Sequence, residues 1–484
     1  MRSSVRSLLV VLVSASACVR AVEPRSPSAA PSAETSRPQA TEAVESVETA
    51  ELATGTLASL RPTPAAAEIP LGAEAAPEPR TVTETVAFTG AATVRAEPRV
   101  DAPALGELAL GARVQVFERV EGTGCARPWL AIAPRGYVCA PFERTRRAAT
   151  PMLPELPDGA QVPGVYGSVT KGAVVYDSLA AVEADQGRVP EAHLTVRRER
   201  GVAHGGRSLW KTRYGLIDEQ DIQRFRGSTF HGELVEDGLA QPLAWTLPAP
   251  QELRVRVLAA PTDGAAVVTT LPARRARRVL EELDGFVRIE EGWVVREQLR
   301  VARRSEAPAE LAAGERWMDI DLSEQVLVAY EGDEPIYATM ISSGRPGHRT
   351  PTGIFRISKK VAERTMNSMA DSTDSYSVDR VPWTAYFAHG YALHAAFWHG
   401  GFGRTRSHGC VNLSPIDARA LYDWMAPLSA PGWAEVYGHE EQPGSLVRLK
   451  DRRDPEPKWQ GYAKDMHDAA DTRLAAAPAP TRAG

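Results

Sequence analysis

Cysteine is scarce in this sequence, with four among 484 residues, and none of them forms a Cys-x-x-Cys pair. A His-Glu-x-x-His run is missing too, so both common short zinc signatures are absent and neither a metal nor a cofactor is expected. Charge of one sign is not in excess: 56 basic residues face 61 acidic ones, a net −5, which removes any global pull toward nucleic acid. The apolar run near the N-terminus, Leu8 to Val13, is far short of the roughly 20 residues that cross a bilayer as a helix. Aromatics are all but missing between Val19 and Arg80, where Ala, Pro, Glu, Ser and Thr dominate. Such a stretch buries too little apolar surface to offset its conformational entropy, so residues 19–81 read as a disordered tether. The whole chain is too long for one core, and several domains are expected.

What is present begins with a leader. Arg2 and Arg6 precede Leu8–Val13 and the small residues Ser14-Ala-Ser-Ala-Cys18. This order makes residues 1–18 a secretory signal and predicts export to the periplasm or cell envelope. Small residues directly before a cysteine also resemble the bacterial lipobox, in which Cys18 is lipidated and ties the chain to a membrane. Ordinary cleavage near Ala17 or Ala21 is the alternative. Cys125 and Cys139 are close enough to pair in an oxidising compartment. Cys410 is then the odd thiol, inert if buried and reactive if a base stands beside it.

Residues from about Val82 to Val301 read as short strands. Val114 and Val116 alternate with polar residues, as do Val255 and Val257. Three segments share an order of aromatic, strand, glycine turn and strand: Trp129 to Ile132 with Gly136-Tyr-Val, Trp210-Lys-Thr with Gly215-Leu-Ile-Asp, and Phe286 to Ile289 with Gly292-Trp-Val. This resembles the closing hairpin of bacterial SH3-like domains and implies small β-barrels at 82–146, 160–230 and 250–303, acting as wall-binding modules or as spacers. After the Ala-rich, charged linker Arg303 to Ala313, residues 315–450 form a further, mostly β domain, and 451–484 read as a disordered tail. Ser414-Pro415 with Asp417 is a helix start, with a hydroxyl cap, a first-turn proline and an acid at the positive dipole end. Ile416, Ala420 and Trp424 are its expected apolar stripe. The polar stretch Lys359 to Arg380 is too long for an ordinary turn and reads as a loop able to cover a site.

The densest chemistry lies in His394-Ala-Ala-Phe-Trp-His399-Gly-Gly-Phe-Gly-Arg-Thr-Arg-Ser-His408-Gly-Cys410-Val-Asn412. A thiol needs a base to become a nucleophile, and spacing alone does not choose among His394, His399 and His408. Gly409 before Cys410 suits a tight turn with backbone N–H groups available to an oxyanion. His408-x-Cys410 could instead share a metal ion, the first rival.

Leu393-His394 followed by Ser407-His-Gly-Cys-Val-Asn412 resembles the signature of the L,D-transpeptidase (YkuD-like) catalytic domain. Ile341-Ser-Ser-Gly-Arg-Pro-Gly-His-Arg-Thr-Pro-Thr-Gly353 and Val381 to Phe387 also fit it. The resemblance implies a β-sandwich-like body with a few helices and the site at one end. It implies Cys410 as nucleophile, His394 as base with its ring oriented by the Ala395 carbonyl, and Gly409, Cys410 and His408 around the oxyanion. Asn412 would brace the loop; Trp398, His399, Arg404 and Arg406 would line the substrate side, the arginines drawing a carboxylate. The implied partner is peptidoglycan: a tetrapeptide stem acylates Cys410, and a second stem's amine takes the acyl group in a 3–3 crosslink. Water as acceptor would make a carboxypeptidase, and a lipoprotein amine would make a linking enzyme. A non-catalytic wall-binding protein is the remaining alternative.

Overall fold

The computed structural model describes residues 80–151, 156, 157, 159–308, 311–368, 375–440 and 442–476. The expectations for the signal, for Cys18 and for all but the end of the tether lie outside them. The fold is mostly β, with three α-helices among the described residues.

The first unit is built by alternation. Strand Arg113–Val120 turns Val114 and Val116 inward onto Val86, Phe88, Val94, Leu130 and Val138. Cys125 and Cys139 are joined there, with Cα atoms 6.3 Å apart. The three glycine-turn hairpins form, pairing Leu130 with Val138, Thr212 with Gly215, and Ile289 with Gly292. Gly215 and Gly292 sit at φ 135° and 141°, a region that disfavours side chains.

These units do not stand apart as separate barrels. Strand Ala104–Leu108 of the first pairs with Trp433–Tyr437, which pairs with Lys359–Asn367. That strand pairs with Tyr376–Ala388, and Tyr376–Ala388 runs parallel to His193–Arg197 of the second unit. One sheet therefore crosses the first unit, the second unit and the strands at 359–437, because edge strands with open N–H and C=O groups are capped by one another, while the third unit keeps sheets of its own. Gly106 permits the first junction: a Cβ there would lie 2.3 Å from Glu435 O.

The third unit also differs from its expected span of 250–303. Strand Leu243–Thr246 pairs with both Ala276–Arg278 and Leu299–Ala302, so the unit begins ahead of residue 250. Its Trp245 is fully buried in a core shared with Trp317, Val328, Met340 and Phe402.

Strands Arg316–Asp321, Val326–Glu331 and Glu334–Met340 form a meander, completed by Leu446–Lys450 and Gly353–Arg356. This sheet packs through Ile320, Leu327 and Phe355 against Trp383, Phe387, Leu393 and helix Pro415–Trp424. The helix starts as the sequence implies, with Ser414 Oγ accepting from Asp417 N–H at 3.1 Å. Its buried face, however, is Ala418, Leu421, Tyr422 and Trp424, while Ile416 and Ala420 stay half-buried. The wider apolar arc left the choice of face to packing.

Two further expectations are corrected. Lys359 to Arg380 is not a free loop but most of a β-hairpin, Lys359–Asn367 with Tyr376–Ala388; residues 369–374 lie outside the described set. The second unit clamps it: Arg197 donates to Glu363 at 2.8 and 3.0 Å, and Tyr166 OH to Arg380 O at 2.9 Å. The polar composition that suggested a loop is consumed in these pairs. The tail is ordered in part, since Gly461–Ala476 is a helix with Ala463 buried and Trp459 and His467 ring centroids 4.9 Å apart.

Candidate active site

Strand Tyr391–Ala395 carries His394, and strand Val411–Leu413 lies parallel to it with Asn412 in register opposite His394. Cys410 directly precedes the second strand. Residues two apart on an extended chain share a face, so Cys410 leads into the face that Asn412 presents next to His394. The thiol donates to Gly390 O at 3.8 Å, and the Ala392 N–H faces its sulfur. Burial nonetheless dominates and pushes the Cys410 pKa up, so the resting group is a thiol.

The three histidines are distinguished by their hydrogen bonds. His394 is buried, and its Nδ1–H donates to Ala395 O at 3.2 Å. That bond fixes the tautomer and leaves Nε2 as the acceptor, with no protein partner among the described residues. Burial lowers its pKa to about 4, so it is neutral near pH 7. His399 is different. Gly401 N–H donates to its Nδ1 at 3.2 Å, and its Nε2 lies 2.9 Å from the Asn412 amide. Burial, the nearby Arg406 charge and His394 lower its pKa to about 3. A neutral ring accepting at Nδ1 carries its proton on Nε2, so Nε2–H donates and the Asn412 amide oxygen must face it. Both ring nitrogens are thus committed, which excludes His399 as a free base and makes it a brace. His408 accepts at Nε2 from the Arg345 guanidinium, 2.7 Å away, and its ring lies 4.9 Å from Tyr376 at the hairpin's end. An oxyanion role could use only its other nitrogen.

The loop before Cys410 is held from inside. Gly409 N–H donates to Ser407 Oγ at 3.0 Å, and Ser407 Oγ donates to Cys410 O at 2.5 Å. Thr350 Oγ1 donates to Gly409 O at 2.7 Å and accepts from Gly344 N–H at 2.9 Å. The Gly409 amide, expected to face an oxyanion, is therefore committed within its own loop in this state. Gly409 has φ 123°, and a Cβ there would lie 2.6 Å from the Tyr391 ring, so the turn requires glycine. Among the described residues no set of three His, Cys, Asp or Glu side chains converges as metal ligands.

Residues 315–448 match the YkuD family, the L,D-transpeptidase catalytic domain. A mutant L,D-transpeptidase of Enterococcus faecium is similar with a TM-score of 0.23 and 20% identity, covering 31% of this chain and 55% of that one. The catalytic domain of the E. faecium enzyme gives 0.23 and 22%, over 28% and 98% of the two chains. An L,D-transpeptidase from Mycobacterium smegmatis gives 0.22 and 16%, over 52% and 92%. The chain thus spans about half the length (55%) of the first of these. None of the curated proteins compared matches it.

Around the YkuD domain's site, the remaining candidates separate. Trp398 stacks on His394 with ring centroids 5.7 Å apart and walls off its Phe397 side. Arg404 spends one guanidinium nitrogen on Pro248 O. Arg406 is exposed beside Gly401 and has no partner among the described residues.

Sequence reading missed the third unit's hold on the YkuD loop. Arg274 donates to Gly400 O, and Arg300 to Gly403 O at 2.8 Å. With Arg404, three arginine-to-carbonyl bonds pin residues 400–404. It also missed Asp417, whose buried carboxylate accepts from Gly232 N–H (2.9 Å), Tyr337 OH (2.7 Å) and Thr339 Oγ1 (2.6 Å). In sequence Asp417 is a helix-start acid; nothing in its spacing announces partners 78 to 185 residues away.

Proposed function

We propose that this chain is an exported cysteine L,D-transpeptidase that acts on peptidoglycan tetrapeptide stems and forms 3–3 crosslinks. One observation carries the reading: of three histidines near Cys410, His394 alone has a ring held by a backbone carbonyl while its other nitrogen stays uncommitted.

Both resting groups are neutral, Cys410 a thiol with a raised pKa and His394 an imidazole with a lowered one. As Sγ attacks the carbonyl of the stem's third residue, His394 Nε2 takes the thiol proton and the C–S bond forms. The proton passes to the departing D-alanine nitrogen as its C–N bond breaks, leaving a thioester. The side-chain amine of a second stem then attacks; the new C–N bond forms, the C–S bond breaks, and His394 carries the amine's proton back to sulfur. Low dielectric around His394 favours this neutral relay, because no ion pair has to be held in the resting site. Export, and a lipid on Cys18, belong to the same proposal, because the substrate lies outside the cytoplasmic membrane.

The test is muropeptide analysis of stems incubated with the full chain and with Cys410→Ala. The proposal expects 3–3 dimers from the first and none from the second. Tripeptides without dimers would mean a carboxypeptidase, and stems joined to a lipoprotein would mean a linking enzyme.

A further inference from the structure

Beside the pinned loop lies a groove of about 480 Å³ between Ser228–Glu233 and Pro272–Arg277. That size lies within the range of ligand sites. Its chemistry is basic, and the basic charge is not fully used. Arg277 is spent on Glu291 at 2.6 Å. Arg274 bonds only the neutral Gly400 carbonyl, and its buried Nε has no partner. The exposed Arg275 guanidinium has no partner among the described residues. Glu233 is the lining's one carboxylate, and burial raises its pKa, which weakens it as a counter-charge. A half-buried cation without a counter-ion is costly, and an incoming anion would offset that cost.

The groove also lies on a chemically defined side of the site. Arg274 holds Gly400, next to His399; His399 holds Asn412, which stands opposite His394. His408 is engaged elsewhere, against Tyr376 and Arg345. His394 must meet the incoming amine, so an acceptor approaches from its own side. Planar guanidinium groups suit carboxylates, and a peptide stem carries free carboxylates close to its reacting amine.

We propose that this groove, built between the third unit and the Ser228–Glu233 segment, binds the carboxylate of the acceptor stem, with Arg275 as its direct contact. This rests on the transpeptidase reading above, and it assigns the acceptor subsite to a unit outside the matched domain.

The experiment uses the full chain and a fluorescent tetrapeptide with free carboxylates, beside the same peptide with its carboxylates amidated. In a Cys410→Ala background, Arg275→Glu should weaken binding of the free-acid peptide about tenfold, the scale of one charge-assisted contact. Arg275→Lys should lie between, and the amidated peptide should bind weakly to all three. With Cys410 present, Arg275→Glu should raise the half-saturating concentration of acceptor, not of donor. Equal binding of the free-acid peptide by both variants would overturn the groove. A shift in donor half-saturation alone would overturn its assignment to the acceptor. A wild-type chain that forms no crosslink would instead sink the transpeptidase reading, which is scored on product and not on binding.

Discussion

His394 and His399 stand five residues apart on either side of Trp398, and both are buried enough to stay neutral. They nevertheless have opposite uses. His394 closes a strand, spends one nitrogen on the next carbonyl and keeps the other. His399 opens a glycine turn and spends both, one on Gly401 N–H and one on Asn412. Burial alone therefore does not mark a base. What separates the two is the count of committed ring nitrogens, and that count follows from where the chain turns.

The comparison breaks most directly at the reacting pair. Cys410→Ala should abolish the thioester adduct that the proposed tetrapeptide donor is expected to form with the wild-type chain, read by intact mass, with the melting temperature little changed. His394→Ala should slow adduct formation by about 10³-fold, the usual scale of a lost general base. If His399→Ala proves the more damaging of the two, the assignment is reversed.

His399→Ala should cost less in rate, about tenfold, and should also cost stability. It strands the Gly401 amide and the Asn412 side chain, at about 1–3 kcal/mol for a buried group left unpaired. Thermal melts should show that loss; His394→Ala also empties a buried site and should lower the melting temperature as well, so the two variants are told apart by rate rather than by melting. Gly409→Ala comes next. It places a side chain at φ 123° against Tyr391, a strain of about 1–3 kcal/mol, and should slow acylation without removing the nucleophile.

The smallest expected effect is in pH. A base with a pKa near 4 stays neutral as pH falls from 7 to 5, so the acylation rate should hold nearly level and fail only toward pH 4. A rate that halves near pH 6.5 would mean an ordinary exposed imidazole. Stability has the matching sign. The folded pKa lies below the unfolded one, so the contribution is present above about 6.5 and is lost as pH falls toward 4.

Much of the site was legible in the sequence because its members are close in the chain. Seventeen residues hold the thiol and these three histidines, and the Ser407–Asn412 motif singles out the proposed nucleophile. The hairpins were legible for the same reason, as was the Ser414 cap. Illegible were the features made by distant partners. Lys359 to Arg380 looked like a cover because its polar residues had no visible use, and Arg197 and Tyr166 supply that use from over 160 positions away. Arg274 and Arg300 carried no sequence signal at all, because Gly400 and Gly403 lie 126 and 103 positions away.

By itself, then, the sequence determined the local chemistry: a thiol with three histidines close to it in the chain, a glycine where the turn demands it, and strands with their faces marked by alternation. Only the tertiary structure decided which histidine keeps a free nitrogen, which arginines remain unspent, and that the β units brace the site. The physical reason is that hydrogen-bond and charge partners saturate one another. Whether a group is still available depends on every neighbour the fold brings to it, and spacing along the chain does not record those neighbours.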